Sequence, residues 1–145
     1  MKQEKSKISV LMSVYKKENP EYLRASLESI LVQTRTADEI LLIEDGPLTQ
    51  ELYQVVAEYQ KKCDYLHVHA MEQNVQLGRA LAKGVELCKY DLIARMDTDD
   101  IAMPDRLEKE GAYMEAHPEV DVVGGAIREF NDEGTIDRVK NMPKT

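Results

Sequence analysis

An apolar run, Leu92-Ile93-Ala94-Arg95-Met96, passes directly into an acidic one, Asp97-Thr98-Asp99-Asp100. The apolar run is typical of a buried strand, and we predict a strand over residues 91–96. The three carboxylates after it repel one another unless water screens them or a cation lies among them. In an α/β protein, the carboxyl end of a strand is a common place for a divalent metal that carries a phosphate. The stretch therefore indicates either a solvated acidic turn or a metal site.

Strands alternate with helices along the rest of the chain. Apolar, β-branched runs predict further strands over residues 8–14, 39–44, 65–70 and 120–123. Helical spacing of apolar residues predicts a helix after each of the first four strands, beginning at Pro20 behind an Asn19 cap, behind a Thr49 cap, near Gly78 and at Pro104. A turn over residues 131–134 is predicted to join two short strands. The alternation predicts an α/β fold, a mostly parallel sheet with helices on both faces, whose ligands bind beyond the carboxyl ends of the strands.

Composition and charge narrow the class of protein. The 145 residues suit one domain, and 43% of them are hydrophobic, as is typical of a globular chain. The net charge of −8 disfavours nucleic acid and anionic lipid as partners, because both are bound through Lys and Arg. Cys63 and Cys88 form no C-x-x-C pair, and no apolar stretch reaches the ~20 residues of a membrane span. Because the charged amino terminus also lacks the apolar core of a signal peptide, the sequence predicts a cytoplasmic protein.

The acidic stretch offers ligands for a hard divalent cation. Asp97 and Asp99 can place one carboxylate on Mg²⁺ or Mn²⁺ while the other reaches a ribose hydroxyl or a metal-bound water. The loop after the first strand has no glycine, so it holds neither a G-x-G-x-x-G nor a G-x-x-x-x-G-K-[ST] phosphate loop. A nucleotide would therefore have to be held through a metal. A role as helix caps is unfavourable, because Pro104 places the predicted cap near Met103.

Other residues at strand ends have two interpretations each. Asp45 ends the second strand, either as a simple Asp-Gly-Pro turn residue or as an acceptor for the imide N–H of a uracil-type base. Tyr15 ends the first strand, either as a core aromatic or as a platform on which a base stacks. Arg79, near the start of the third helix, is either a phosphate contact or a surface charge. His67 and His69 share one strand face, and without a third ligand nearby a solvated face is favoured over a zinc site.

Taken in order, these segments resemble the family 2 inverting glycosyltransferases of the GT-A fold. Residues 8–15 and 22–34 are similar to the opening of that family, and residues 39–46 are similar to its second strand and acidic turn. The most specific stretch is residues 93–101 followed by Pro104-Asp105-Arg106-Leu107. It resembles the D-x-D region of bacterial members that build surface polysaccharides and lipooligosaccharides. Two positions depart from the family pattern: Ala82, where relatives usually have Asn, and Glu44, where they usually have Asp.

The resemblance implies a Rossmann-like GT-A domain and a metal-dependent enzyme. Such an enzyme transfers a sugar with inversion from a nucleotide-diphosphate donor, here expected to be a UDP-sugar, to a hydroxyl of a saccharide or glycolipid acceptor. By position, Tyr15 and Asp45 are expected to contact the nucleotide base. Asp97 is expected near the ribose or a metal-bound water, and Asp99 on the Mn²⁺ or Mg²⁺ that bridges the diphosphate.

The resemblance also implies that residues 1–145 form a single nucleotide-sugar-binding domain, truncated before the acceptor-binding half. In the family the general base lies in that second half, so it is expected beyond Thr145, and no catalytic residue is assigned within the chain. We expect the isolated chain to bind the donor without transferring the sugar, and any membrane contact to be peripheral, through regions outside it.

Two alternatives remain: a nucleotide-sugar-binding module without catalysis, and a phosphoacceptor receiver domain. The receiver is disfavoured because Tyr15-Lys16-Lys17 follows the first strand, where a receiver carries its acidic pair.

Overall fold

The computed structural model describes residues 6–119, 127–130 and 136–140, with side chains over residues 6–119. Its elements in chain order are β1 (Ile8–Val14), α1 (Pro20–Leu31), β2 (Glu39–Glu44), α2 (Gln50–Lys62), β3 (Leu66–Ala70), α3 (Leu77–Leu87), β4 (Leu92–Arg95), α4 (Arg106–Ala116), β5 (Ile127–Phe130) and β6 (Ile136–Lys140).

The first four strands form one parallel sheet in the order β3-β2-β1-β4. β1 lies inside the sheet, with Val10 opposite Ile40 of β2 on one side and Ala94 of β4 on the other. The chain therefore adds β2 and β3 in one direction and then crosses to the far side of β1 for β4. In sheets of this kind, ligands bind beyond the carboxyl ends of the strands where the order reverses, which here is between β1 and β4. The predicted parallel α/β sheet is confirmed.

The two faces of the sheet bury different sets of side chains. On one face, Met12 and Leu42 pack with α1, α2 and Leu107 of α4 in the larger apolar cluster. On the other face, Leu11 and Ile43 pack with Ala80 of α3. Helices therefore cover both faces, as predicted. Because α1, α2 and α3 each follow a strand through a short loop, their amino ends lie near the carboxyl ends of the strands.

The first two strands and the first two helix caps agree with the sequence prediction. β1 and β2 have the predicted bounds. Asn19 Oδ1 accepts a hydrogen bond of 2.8 Å from the Glu21 N–H, and Pro20 is the first residue of α1. Thr49 Oγ1 accepts one of 3.2 Å from the Leu52 N–H at the start of α2. Both caps satisfy N–H groups that the start of a helix leaves free.

The fourth helix starts later than the sequence predicts, at Arg106 rather than Pro104. The Pro104 carbonyl accepts a hydrogen bond of 2.8 Å from the Thr34 N–H, and the Met103 carbonyl accepts one of 3.0 Å from the Arg106 N–H. These bonds hold residues 103–105 in a turn, so the N-cap is Asp105 and not a residue near Met103. The contact with the segment after α1 outweighs the preference of proline for the first helical position.

Two predictions lie outside the described residues, namely the strand over 120–123 and the turn over 131–134. The two short strands predicted to flank that turn are β5 and β6, which pair antiparallel with Ile127 opposite Lys140. Across the described ranges, none of the helices has the length and apolar character to cross a membrane.

Candidate functional site

The loops after β1, β2, β3 and β4 surround a cavity of about 440 Å³ at the carboxyl end of the sheet. The lining residues are Ser13, Tyr15, Glu18, Asp45, Asn74, Gln76, Leu77, Asp97, Thr98 and Asp99. All four residues that the sequence singles out for donor or metal contact, Tyr15, Asp45, Asp97 and Asp99, therefore line one cavity. The cavity lies beside the ends of β1 and β4, where the strand order reverses.

The acidic loop after β4 brings three carboxylates together. Asp97, Asp99 and Asp100 are exposed, and one carboxylate oxygen from each lies within 4.8 Å of the other two. Thr98 between them is buried, and its hydroxyl donates a hydrogen bond of 3.4 Å to the Ser13 carbonyl at the end of β1. The Asp100 N–H closes the turn onto the Asp97 carbonyl over 3.1 Å. The loop is therefore anchored through its buried threonine, while its carboxylates point to solvent.

A fourth carboxylate, Glu18 in the loop after β1, was not predicted from the sequence. Its Oε1 atom is buried and has no hydrogen-bond partner among the described residues. Burial raises the pKa of Glu18, and the negative charge of Asp99 raises that pKa further, while the Thr98 side chain acts in the opposite direction. Burial likewise raises the pKa of Asp100, followed by the charges of Asp99 and Asp97. Both carboxyl groups are therefore easier to protonate than usual, through burial first and through the neighbouring negative charges second.

Asp45 fixes the end of β2 to the loop before α3. The residue is 4% exposed, and its Oδ1 accepts a hydrogen bond of 2.7 Å from the Val75 N–H. The Asn74 side-chain amide donates one of 3.3 Å to the Asp45 carbonyl. In the described part of the chain, no hydrogen bond to Asp45 Oδ2 is found, so this oxygen is the one available to a ligand.

Gly46 allows this close approach. Its φ angle is +87°, and a Cβ atom at this position would lie 2.6 Å from the Asn74 backbone nitrogen. Only glycine fits both the backbone conformation and the space.

Tyr15 and Asp97 lie on the exposed rim of the cavity. Tyr15 is 44% exposed, which excludes the core interpretation. Asp97 Oδ1 lies 3.3 Å from Arg95 Nη2 in an ion pair between half-exposed side chains. The Asp97 carbonyl accepts a hydrogen bond of 3.2 Å from the Ser26 hydroxyl of α1. The backbone at Asp97 is thus held from α1. In the part of the chain that the structure describes, its carboxylate is held by this one exposed ion pair, which contributes little free energy.

A second cavity of about 370 Å³ adjoins the first on the α3 side. Asn74 and Gln76 line both cavities, and Arg79 lines the second one. Gln76 has a φ angle of +74°, makes no side-chain cap, and is followed by a first helical turn without acidic residues. The amino end of α3 therefore offers free N–H groups beside Arg79.

His67 and His69 lie on β3. Within the residues that the structure describes, the three aspartates form the only group of three or more side chains placed to share a metal ion. The preference for a solvated histidine face over a zinc site stays a prediction.

The profile of the family described as Glycosyl transferase family 2 matches residues 9–145. The chain is 49% identical over 138 residues to an uncharacterized glycosyltransferase of Haemophilus influenzae, covering 94% of this chain and 51% of that protein. It is 46% identical over 135 residues to the amylovoran biosynthesis glycosyltransferase AmsE of Erwinia amylovora, covering 93% and 50%.

The chain is also 34% identical over 145 residues to the UDP-Gal:alpha-D-GlcNAc-diphosphoundecaprenol beta-1,3-galactosyltransferase of Escherichia coli, covering 96% and 52%. It thus spans about half the length of the curated relatives it matches.

Solved structures that resemble the fold include two glycosyltransferase complexes. Residues 1–349 of TarS from S. aureus, in complex with UDP-GlcNAc, align with a TM-score of 0.68 at 23% identity, covering 77% of this chain and 32% of that one. The mannosyltransferase PcManGT from Pyrobaculum calidifontis, in complex with GDP-Man and Mn²⁺, aligns with a TM-score of 0.68 at 15% identity, covering 85% and 35%. At these identities the likeness concerns the fold alone, and it confirms the GT-A architecture.

Proposed function

This chain belongs to glycosyl transferase family 2, and we propose that the carboxyl end of its sheet binds a nucleotide-diphosphate sugar, with UDP as the nucleotide. The convergence of Tyr15, Asp45, Asp97 and Asp99 on one cavity carries the proposal. These residues come from three loops that are far apart in sequence, so only folding brings them together. The name of the E. coli relative specifies a UDP-sugar, and the TarS structure contains UDP-GlcNAc, which supports the donor class.

We propose that Asp99 is the principal protein ligand of a Mn²⁺ or Mg²⁺ ion, with Asp97 and Asp100 within reach of the same ion. The residues fit such an ion for two reasons. Three carboxylate oxygens within 4.8 Å of one another are the donors that hard divalent cations prefer. Glu18 lines the same cavity, and its buried Oε1 has no donor among the described residues, which a hydrated cation could supply. When bound, the ion would neutralise the departing diphosphate as a Lewis acid.

The remaining cavity residues would hold the nucleoside. Asp45 Oδ2 would accept the imide N–H of uracil, because Oδ1 is already occupied by the Val75 N–H. The exposed ring of Tyr15 would stack on the base. Asp97 would reach the ribose or water on the metal. The rigid link between Asp45 and the loop before α3 supports this assignment, since a preformed acceptor loses little entropy on binding.

We propose that the chain contributes donor binding to an inverting transferase whose acceptor is a saccharide or glycolipid. Relatives named for amylovoran biosynthesis and for a diphosphoundecaprenol-linked acceptor support that class. A general base would remove the proton of the acceptor hydroxyl as it attacks the anomeric carbon. That base stays predicted beyond Thr145, and the described residues hold and orient the donor. The cytoplasmic location and a peripheral membrane contact also stay predictions.

Isothermal titration calorimetry with UDP tests the proposal. We expect UDP to bind in the presence of Mn²⁺ and not in EDTA. The carboxylates of the described site repel a diphosphate, so they can hold UDP only through a bound cation. UMP, which lacks the β-phosphate, should gain less from Mn²⁺ than UDP does. Equal UDP affinity in Mn²⁺ and in EDTA would contradict a metal-bridged donor site. The receiver-domain alternative is wrong, since the chain belongs to a glycosyltransferase family.

A further inference from the structure

A row of buried polar side chains follows α1 and continues just past its end. Ser26, Ser29 and Gln33 are 0%, 7% and 6% exposed, respectively. Their spacing of three and four residues places them along one side of the helix and its continuation. Buried polar groups are unfavourable unless they are hydrogen-bonded, so the partners of this row explain why it is buried. We call Ser26, Ser29 and Gln33 the α1 polar row.

The partners of the α1 polar row are backbone groups of the acidic loop and its continuation into α4. Three contacts reach the loop itself: the Ser26 hydroxyl donates to the Asp97 carbonyl over 3.2 Å, the Ala102 N–H donates to the Ser29 hydroxyl over 3.0 Å, and the Gln33 side-chain amide donates to the Met103 carbonyl over 2.6 Å. A fourth contact, from the Leu107 N–H to Gln33 Oε1 over 2.9 Å, reaches the first turn of α4. The row therefore holds the loop on both sides of its carboxylates, at Asp97 and at the adjacent residues Ala102 and Met103.

The Ser29 hydroxyl and the Gln33 amide each donate and accept, and the Gln33 nitrogen also donates to the Ser29 carbonyl over 3.0 Å. The Ser29 hydroxyl accepts from the Ala102 N–H while it donates to the Ser26 carbonyl over 2.7 Å. The Gln33 side chain donates from its nitrogen to Met103 and accepts on its oxygen from Leu107, so both ends of one amide bridge the loop to α4. Neither role survives replacement by an apolar side chain of similar volume.

These contacts matter because the loop carries like charges and no regular secondary structure over residues 96–105. Repulsion among Asp97, Asp99 and Asp100 favours an open loop, whereas a shared cation needs their oxygens close together. Among the described residues, the α1 polar row contacts backbone atoms of the loop and does not bond to its carboxylates. We propose that Ser26, Ser29 and Gln33 are positioning residues that hold the acidic loop in its cation-binding conformation before the cation arrives, an inference that rests on the proposed metal site.

The test compares Mn²⁺ affinity in folded variants, measured by electron paramagnetic resonance of free Mn²⁺ well below the melting temperature. Ser29→Ala removes the contact with Ala102, and Gln33→Met removes the contacts with Met103 and Leu107. Because supporting groups around metal sites contribute about 10–100-fold to affinity, each variant should bind Mn²⁺ at least ~10-fold more weakly than the wild type. Circular dichroism establishes that each variant is folded at the temperature of the measurement.

Ser9→Ala is the matched control. Ser9 is 0% exposed, and its hydroxyl donates to Glu39 over 2.8 Å and accepts from the Tyr90 N–H over 3.3 Å at the opposite end of the sheet. It should lower stability and leave Mn²⁺ affinity unchanged. Wild-type affinity in Ser29→Ala and Gln33→Met, or an equal loss in Ser9→Ala, would overturn the positioning role while leaving the metal site intact. Absence of Mn²⁺ binding in the wild type would overturn the metal site and the positioning role together.

Discussion

Asp45 and Val75 are joined by a hydrogen bond of 2.7 Å, from the Val75 backbone N–H to Asp45 Oδ1. The bond ties the end of β2 to the loop that opens α3 and fixes the rotation of the Asp45 carboxyl group. One carboxylate oxygen is therefore structural, and the other is left for a ligand. This division of roles leads to a prediction about base selectivity.

Asp45→Asn should shift base preference from uracil towards cytosine. Asparagine can keep the bond to Val75 through its oxygen, and its amide then places a donor where Oδ2 was an acceptor. That donor would lie opposite the imide N–H of uracil, which is also a donor, whereas it can donate a hydrogen bond to the unprotonated ring nitrogen of cytosine. Calorimetry with UDP and CDP should show that the wild type prefers UDP, since leaving a buried polar group unpaired costs about 1–3 kcal/mol. The variant should lose or reverse that preference. An unchanged UDP-to-CDP ratio in the variant would remove Asp45 from the base site.

Gly46→Ala should destabilise the protein strongly. The substitution combines a φ angle of +87° with a Cβ atom 2.6 Å from the Asn74 backbone nitrogen. A left-handed conformation alone costs a non-glycine residue about 1–2 kcal/mol, and the clash adds to that loss. The matched control is Gly78→Ala in the first turn of α3, where a Cβ atom meets no other atom within 4 Å. That variant should gain about 0.5–1 kcal/mol from helix propensity. Urea unfolding measures both, and equal stability of the two variants would contradict the close approach of the two loops.

Glu18→Gln should stabilise the metal-free protein and weaken its affinity for Mn²⁺. Glutamine removes a negative charge that faces Asp99, and it retains an oxygen acceptor. In the metal-free form, the free energy of unfolding should rise by about 1 kcal/mol or less, since the site is partly open to water. Thermal melting in EDTA and an Mn²⁺ titration measure the two effects. Glu72→Gln, which removes an exposed carboxylate after β3, is the control. If Glu18→Gln changed both quantities in the same direction, Glu18 would not belong to the acidic site.

Glu44→Gln should stabilise the protein more at pH 7.5 than at pH 4. Glu44 is buried at the end of β2, and burial raises the pKa of its carboxyl group above the ordinary value of 4.5. A raised pKa means that the folded state favours the protonated form. The contribution of Glu44 to stability is therefore fully present below the pKa of the unfolded state and is lost as the pH rises through the higher pKa of the folded state. Glutamine stays neutral throughout, so its advantage should appear only as the pH rises. Urea unfolding at both pH values tests this, and an advantage that is independent of pH would contradict it.

Local sequence patterns predicted most of the fold. The bounds of β1 and β2 follow from apolar runs, and the starts of α1 and α2 follow from Asn19 and Thr49, because these signals act within a few residues. The start of α4 was wrong by two residues, since Thr34 and Gln33 reach across the fold to hold Pro104 and Met103. Local spacing carries no information about such contacts.

The candidate site shows the same division between local and long-range information. The rule that ligands meet the carboxyl ends of parallel strands predicted where the four residues lie, and the family resemblance supplied their expected roles. Glu18 was missed because a carboxylate in a polar loop looks solvated until the fold turns it towards Asp99. The α1 polar row was missed as well. In the sequence, Ser26 and Ser29 are indistinguishable from ordinary helix residues, because their hydrogen-bond partners in the acidic loop lie more than 70 positions away.

The central claim is that Asp99 and its neighbours bind a divalent cation that carries the donor diphosphate. The most direct measurement is the melting temperature with and without Mn²⁺ plus UDP, in the wild type, in Asp99→Asn, and in Asp91→Asn, an exposed aspartate at the other end of β4. Ligands at 100-fold their dissociation constant raise the free energy of unfolding by about 2.7 kcal/mol. For a chain of this size, that raises the melting temperature by roughly 5–10 °C. We predict that rise in the wild type and in Asp91→Asn, and its loss in Asp99→Asn. A full rise in Asp99→Asn, or no rise in the wild type, would contradict the account.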